Sequence, residues 1–249
     1  FEMAARKLGL DVISIEHRAS SASKGESLID TGNTLSAMGI AALVLRHPDD
    51  GAAAALATGL EDGIAVVNAG DGQHAHPSQA LLDAATLASA GLSGAGLRLA
   101  LIGDIRHSRV ARSDIALFRR LGAAEIRIAG PQEFMPDSGE VAEARRVGDI
   151  DAALADVDAV ICLRIQRERI AATGYPDGAT FHRRWGLTRA RLKVMPEHAR
   201  ILHPGPVNRD VELAGELIDS PRALILEQVR IGVYLRTALF EWLLGADPA

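Results

Sequence analysis

Cysteine is almost missing from this chain. A lone Cys162 excludes an internal disulfide and any metal cluster built on several thiolates. It lies in the apolar run Ala159-Val160-Ile161-Cys162-Leu163, where a single thiol reads as a small core residue. Lysine is nearly missing too, occurring only as Lys7, Lys24 and Lys193; every other basic residue is arginine. In such a chain an arginine carries weight only at a strand end beside other ligand-type side chains. There is no excess of positive charge: 27 Lys and Arg face 32 Asp and Glu, for a net charge of −5. That argues against a nucleic-acid binder working through bulk charge, although local arginines can still hold a small anion. No apolar run approaches the ~18 residues of a membrane span, and no signal peptide is recognisable. These absences point to a cytoplasmic protein with no membrane role.

Against them stands one information-rich stretch, Asn68 to Asp83, reading NAGDGQHAHPSQALLD. It follows the apolar run Ile64 to Val67, which predicts a buried strand. Gly70 and Gly72 allow a sharp turn, and Pro77 suits the first turn of a helix running on through Ala80 to Ala90. His76 and Gln79 then lie at the carboxyl end of a strand and the N-terminus of a helix. Open α/β sheets place ligands there, and unpaired N–H groups there favour anions. On residues alone, HAHP also reads as a loop with a capping histidine.

Around this stretch the chain alternates. Phe1 to Leu8 is a helical fragment and Asp11 to Ile15 a strand. The polar segment His17 to Glu26 is a flexible loop or an anion-binding loop with Lys24 at its tip. Ser27 to Met38 is a helix, Ala41 to Leu45 a strand with Arg46 after it, and Ala52 to Ala57 a helix. This β, α, β, α, β order predicts a parallel sheet with helices on both faces. Gly91, Gly94 and Gly96 mark a hinge. A second α/β set follows, with strands Leu97 to Ile102, Glu125 to Ala129, Val157 to Leu163 and Arg200 to Leu202, and helices Val110 to Leu121 and Val141 to Arg146. Tyr175 to Gly186 reads as a loop. His203 to Arg209 is a turn stiffened by two prolines, and Arg222 to Leu244 is a closing helix with Val229, Val233, Ala238 and Leu239 on its apolar side. The expected fold is α/β with two domains, each a parallel sheet flanked by helices: 1–87, 88–230, and a C-terminal helix 231–249 packing back on the first. Gly103 lacks the further glycines of a dinucleotide fingerprint, so no nucleotide cofactor is indicated.

Five stretches, in order, resemble the aspartate carbamoyltransferase family: SSASKGESLIDT, VVNAGDGQHAHPSQALLD, IGDIRHSRVARS, RIQRER and HPGPVNRDVE. The resemblance covers essentially the whole chain and implies the carbamoyltransferase fold. The sister ornithine enzymes carry a cysteine where this chain has the turn His203 to Pro206, so aspartate is the implied acceptor and carbamoyl phosphate the donor. The resemblance assigns His76 to the carbonyl oxygen, Gln79 to the carbamoyl amide and Arg46 to phosphate and carbonyl. It assigns Arg109, Arg164 and Gln166 to the aspartate carboxylates. The backbone carbonyls of Gly205 and Pro206 would orient the carbamoyl amide and the attacking amine. Ser20 and Lys24 match a loop that enters a neighbouring subunit's site, Lys24 serving both substrates, which implies a homotrimer with shared sites. A place in de novo pyrimidine biosynthesis, and a regulatory chain or dihydroorotase as partner, are further implications. No cofactor and no metal is expected.

One departure stands out. The family's Ser-Thr-Arg-Thr phosphate loop precedes a Ser-Phe-Glu, whereas this sequence begins at Phe1-Glu2. The expectation is a truncated form of a normal enzyme or a chain that cannot bind phosphate properly, with little activity as it stands. Three other readings remain open: a non-catalytic scaffold of the same fold, a carbamoyltransferase for another amino acid, and a metal hydrolase on His74 and His76.

Overall fold

The computed structural model describes residues 1–15, 27–60, 64–137, 139, 141–165 and 177–245. The chain forms two compact units, Phe1–Ser78 with Arg230–Ala249, and Gln79–Val229. The family resemblance placed Ser20, Lys24 and Gln166 in the site; all three lie outside the described residues.

The first unit holds α1 (Glu2–Lys7), α2 (Leu28–Ala37), β1 (Ala42–His47), α3 (Ala52–Gly59) and β2 (Ala65–Asp71). Ser27 caps α2 by accepting the Asp30 N–H at 3.1 Å, satisfying a donor the helix leaves open. β1 and β2 pair in parallel. A small apolar cluster joins Ala4 and Ala5 of α1 to Phe240 in the C-terminal segment, and the Phe1 and Phe240 rings meet edge-on at 6.0 Å.

α4 (Pro77–Ser89) carries the chain into the second unit. There a five-stranded sheet runs in the order β5-β4-β3-β6-β7, parallel throughout. Its strands are β3 (Arg98–Ile102), β4 (Glu125–Ala129), β5 (Arg145–Arg146), β6 (Ala159–Cys162) and β7 (Arg200–Leu202). α5 (Arg109–Arg120), α6 (Ile150–Leu154), α7 (Gly178–Trp185) and α8 (Arg189–Leu192) flank the sheet. α9 (Ile225–Leu243) closes the chain. β3 and β6 read as continuous apolar runs because both faces of this sheet are covered. On one face Ala100, Ile102, Val160, Cys162 and Ile201 pack with Leu154 and Leu213. On the other, Leu99, Leu101, Ile126 and Ile161 pack with Leu87, Ile115 and Phe118. Each such Leu or Ile contributes about 1.5–3 kcal/mol by leaving water. Burial pushes the Cys162 thiol up, aided by the Glu212 charge, so it behaves as a core residue.

Four sequence expectations differ from the structure. Asp11 to Ile15 joins no strand; among the described residues nothing pairs with it, and Ile13 and Ile15 are exposed. Val141 to Arg146 is not helical: after a turn, Arg145 and Arg146 form the sheet's edge beside Arg127 and Ile128. A short, charged edge strand resists pairing with other chains. Gly178 to Trp185, expected as loop, is α7; Asp177 starts it by accepting the Thr180 N–H at 2.6 Å, a capping signal that the nearby Gly and Pro obscure. On α9 the buried positions are Ile225, Gln228, Gly232 and Phe240, while Val229 is 66% exposed. The apolar letters there mislead, because the buried side includes a glutamine with a partner for its amide.

Candidate functional site

In the first unit the candidate residues surround the carboxyl ends of β1 and β2. Leu45 stands opposite Asn68 and His47 opposite Asp71, so Ala69 and Gly70 together face the single residue Arg46. This bulge, at a glycine with φ of 114°, sets Arg46 at an irregular point of the strand, where it is exposed. Asp71, buried at the end of β2, organises the loop that follows. Its carboxylate accepts from Gly51 N at 2.9 Å, Asn68 Nδ2 at 3.0 Å and Ala75 N at 3.1 Å, with His74 Nδ1 at 3.3 Å. Burial works against the charge, but the hydrogen bonds from Asn68 and His74, the His74 charge and the Gly51 N–H outweigh it, and the carboxyl is held below its usual range. Asp50 Oδ1 receives Gln73 N at 2.7 Å, and a Cβ on Gly72 would fall 1.8 Å from that oxygen. The loop thus delivers His76, half-buried, to the start of α4. Ser78 Oγ donates to Asn68 O at 3.1 Å and lies 3.4 Å from His76 Nδ1.

In the second unit the strand order reverses between β3 and β6, since β4 and β5 extend one way and β7 the other. The crevice outside the carboxyl ends of such a pair is where parallel sheets bind ligands. The loops leaving β3 and β6 touch, for a Cβ on Gly103 would meet Leu163 O at 2.8 Å. Arg109 opens α5 after β3, behind the Ser108 cap, whose Oγ accepts from Ala111 N at 3.1 Å. Arg164 follows β6 and is exposed. Both arginines therefore flank the switch point. Asp104, buried, receives His107 N at 3.1 Å and faces His107 Nδ1 at 2.9 Å, which fixes the turn before Arg109.

The turn after β7 is tied down by a buried polar network. His203 Nε2 meets Glu212 Oε1 at 3.0 Å, and His203 Nδ1 accepts from Gly205 N at 2.8 Å. Glu212 also receives Asn208 N at 2.6 Å and Asn208 Nδ2 at 3.2 Å, while Asn208 Nδ2 reaches Ile165 O at 2.7 Å. The exposed Gly205-Pro206 pair, joined by a cis peptide bond, and the residue next to Arg164 thus share one support. His203 N donates to Gln228 Oε1 at 3.0 Å; Gln228 Nε2 donates to Asp83 Oδ1 at 2.7 Å, and Gln79 Nε2 donates to the same oxygen at 2.8 Å.

Sequence reasoning named candidate ligand residues and missed the buried polar residues that brace the turns carrying them. Asp71, Asp83, Asp104, Glu212 and Gln228 are all buried. One signal was present: Asp83 lies four residues after Gln79, hence on the same helical side. His74, considered as a metal ligand, instead faces Asp71, and among the described residues no group of three His, Cys, Asp or Glu is placed to hold a metal ion.

Comparison with known proteins also divides the chain in two, with a later boundary than the structural units. Residues 1–89 match the carbamoyl-phosphate-binding domain of the aspartate/ornithine carbamoyltransferases, and residues 95–243 match the aspartate/ornithine-binding domain. The aspartate carbamoyltransferase catalytic subunit of Xanthomonas euvesicatoria is 47% identical over 98% of this chain and 78% of its own length. That of Acidothermus cellulolyticus is 48% identical over 100% of this chain and 76% of its own. Among solved structures, aspartate transcarbamoylase from Trypanosoma cruzi in complex with carbamoyl aspartate and phosphate superposes with a TM-score of 0.83. It is 29% identical over 99% of this chain and 77% of its own. Ornithine carbamoyltransferase from Thermus thermophilus, 23% identical with a TM-score of 0.84 over 98% of this chain and 80% of its own, shares the fold.

Proposed function

The chain belongs to the aspartate/ornithine carbamoyltransferase family, and we infer that it transfers the carbamoyl group of carbamoyl phosphate to the amine of L-aspartate. The observation that carries this is identity of 47% across nearly the whole chain to catalytic subunits named for aspartate. The amine attacks the carbonyl carbon, negative charge builds on the former carbonyl oxygen, and the C–O bond to phosphate breaks. N-carbamoyl-L-aspartate and phosphate result. No covalent enzyme intermediate is needed. The rate gain comes from holding two anions in reach of each other and from donors aimed at the developing oxyanion.

Each residue has a role in this reading. Arg46 takes the phosphate and carbonyl oxygens, and His76 donates to the carbonyl oxygen. Gln79 and the carbonyls of Gly205 and Pro206 hold the carbamoyl amide, the turn also orienting the attacking amine. Arg109, Arg164 and Gln166 hold the carboxylates of aspartate, for which the planar guanidinium fork is suited. The crevice between the loops of β3 and β6 supports the roles of Arg109 and Arg164. Ser20 and Lys24 act in the site of a neighbouring copy within a cytoplasmic homotrimer, and the product enters pyrimidine biosynthesis.

The test is a direct assay of the full-length enzyme. Carbamoyl phosphate with L-aspartate gives N-carbamoyl-L-aspartate, and L-ornithine in its place gives little product. Turnover of ornithine alone overturns the choice of acceptor; turnover of neither supports a scaffold. Mixing Lys24→Ala chains with His76→Ala chains restores part of the activity if sites are shared. Failure despite demonstrated subunit exchange means that the loop from Ser20 to Lys24 serves its own chain.

A further inference from the structure

Two aspartates in the second unit are wholly buried and, among the described residues, form no ion pair with the cations that normally accompany buried carboxylates. Asp83 of α4 and Asp114 of α5 are each 0% exposed. Among the described residues Asp83 Oδ2 and both oxygens of Asp114 have no hydrogen-bond partner. Asp83 Oδ1, by contrast, has two: the side-chain amides of Gln79 and Gln228. A carboxylate oxygen accepts and cannot donate, so an ionised Asp83 compels both glutamines to turn their NH2 groups toward it. Each amide is then fixed end for end. Gln228 presents Oε1 to His203 N, at the root of the turn His203 to Pro206. Gln79 is left with Oε1, an acceptor, at the opposite end of its amide from Asp83.

We propose that Asp83 is a positioning residue for carbamoyl transfer: one oxygen sets the amide orientation of Gln79 and, through Gln228, ties the turn carrying Gly205 and Pro206 to α4. The proposal rests on the reading of Gln79, Gly205 and Pro206 as carbamoyl ligands. The Oε1 of Gln79 and two backbone carbonyls are all acceptors, which matches an NH2 group and mismatches a carboxylate or phosphate. Asp83 thus gives that subsite its chemical sense.

Protonated Asp83 could donate, and would let one amide rotate. The titratable groups facing it are Asp114 from α5 and, beyond Gln228, the His203–Glu212 pair at the end of β7. Burial raises Asp83 to about 7, against the opposing hydrogen bonds of Gln228 and Gln79. Asp114 is raised well above its ordinary value by burial and by the Asp83 charge, which favours its protonated form.

The experiment compares wild type, Asp83→Ala, Asp83→Asn and Gln79→Ala in the enzyme, varying carbamoyl phosphate at saturating aspartate from pH 6 to 8.5. Asp83→Ala is expected to raise the KM for carbamoyl phosphate about tenfold at pH 8, the effect of losing a charge-assisted hydrogen bond. Asp83→Asn keeps an acceptor oxygen for the two glutamine amides, so it should return to within about threefold of wild type. In wild type this KM climbs as pH falls through about 7, and in Asp83→Asn that climb is missing. Asp83→Ala behaving as wild type, or Asp83→Asn sharing the wild-type pH profile, overturns the proposal. If Asp83→Ala does not fold, the pH comparison decides alone. Gln79→Ala separates the two levels. An unchanged KM there removes Gln79 from the carbamoyl site and the proposal with it, whereas impaired Gln79→Ala beside unimpaired Asp83→Ala overturns the positioning role only.

Discussion

The two units hold their candidate residues by different means. In the first, a two-stranded sheet and a small apolar cluster leave Val44, Ile13 and Met38 exposed, and one carboxylate, Asp71, gathers the loop before His76 through short-range hydrogen bonds. In the second, a five-stranded sheet is covered on both faces. The brace there is a chain of buried polar groups from Gln79 through Asp83, Gln228 and His203 to Glu212, Asn208 and Ile165. A local brace needs only the loop to be right. A distributed one needs several elements already packed, so damage to it is felt in the stability of the whole unit.

The largest effect is expected from breaking the distributed brace at its centre. Glu212→Ala strands His203 and the Asn208 amide groups in the interior. Each buried donor left without its carboxylate acceptor costs about 1–3 kcal/mol, and several are stranded together. For a chain of this size the melting temperature should fall by roughly 10 °C in a thermal melt. A fall of only a degree or two would mean that the network is not a support.

The next effect lies at the crevice rather than the brace. Arg164 is exposed and outside the network, so Arg164→Ala should leave the melting temperature within about a degree. The KM for aspartate should rise by roughly 10- to 150-fold, the equivalent of one charge-assisted bond of about 1.5–3 kcal/mol. Equal damage to the KM for carbamoyl phosphate would contradict its assignment to the second substrate.

The local brace gives a smaller stability change. Asp71→Ala leaves the Gly51 and Ala75 N–H groups without their acceptor in a half-exposed loop, at about 1–2 kcal/mol. Since that loop delivers His76, kcat should fall even though the melt moves by only a few degrees. A large melt shift with unchanged kcat would reverse the contrast between the units.

These differences also explain what the sequence made legible. β4 and β7 were bounded correctly, and the second sheet's apolar strands stood out, because full burial writes an unbroken apolar run. His76, Gln79, Arg109 and Arg164 were visible because strand ends beside glycines and prolines punctuate the chain. Asp83, Glu212 and Gln228 were not, because a polar letter looks the same whether it faces water or a partner inside. The last helix shows this best. Its apolar letters at Val229 and Ala238 face outward, while Gln228 is buried because Asp83 and His203 complete its hydrogen bonds.

The smallest expected change is one of sign, and it sets the carboxylates of the two units against each other. Asp71 is held below the ordinary carboxylate range, so between its folded and unfolded pKa the unfolded chain binds the extra proton. Its contribution is complete above the ordinary value and is lost as pH falls through the lowered one. Asp114 is raised well above that range by burial and by Asp83, so there the folded chain binds the extra proton. Its contribution is complete below the ordinary value and declines as pH rises toward the raised one. Asp114→Asn removes that decline by replacing the ionisable carboxyl with a neutral amide. The variant should gain in melting temperature on wild type as pH rises from 5 to 8.5. Melts from pH 5 to 8.5 on both proteins read this difference directly. A variant that instead loses melting temperature relative to wild type as pH rises would show that Asp114 is ionised and paired in the fold, contrary to the neutral state assigned to it.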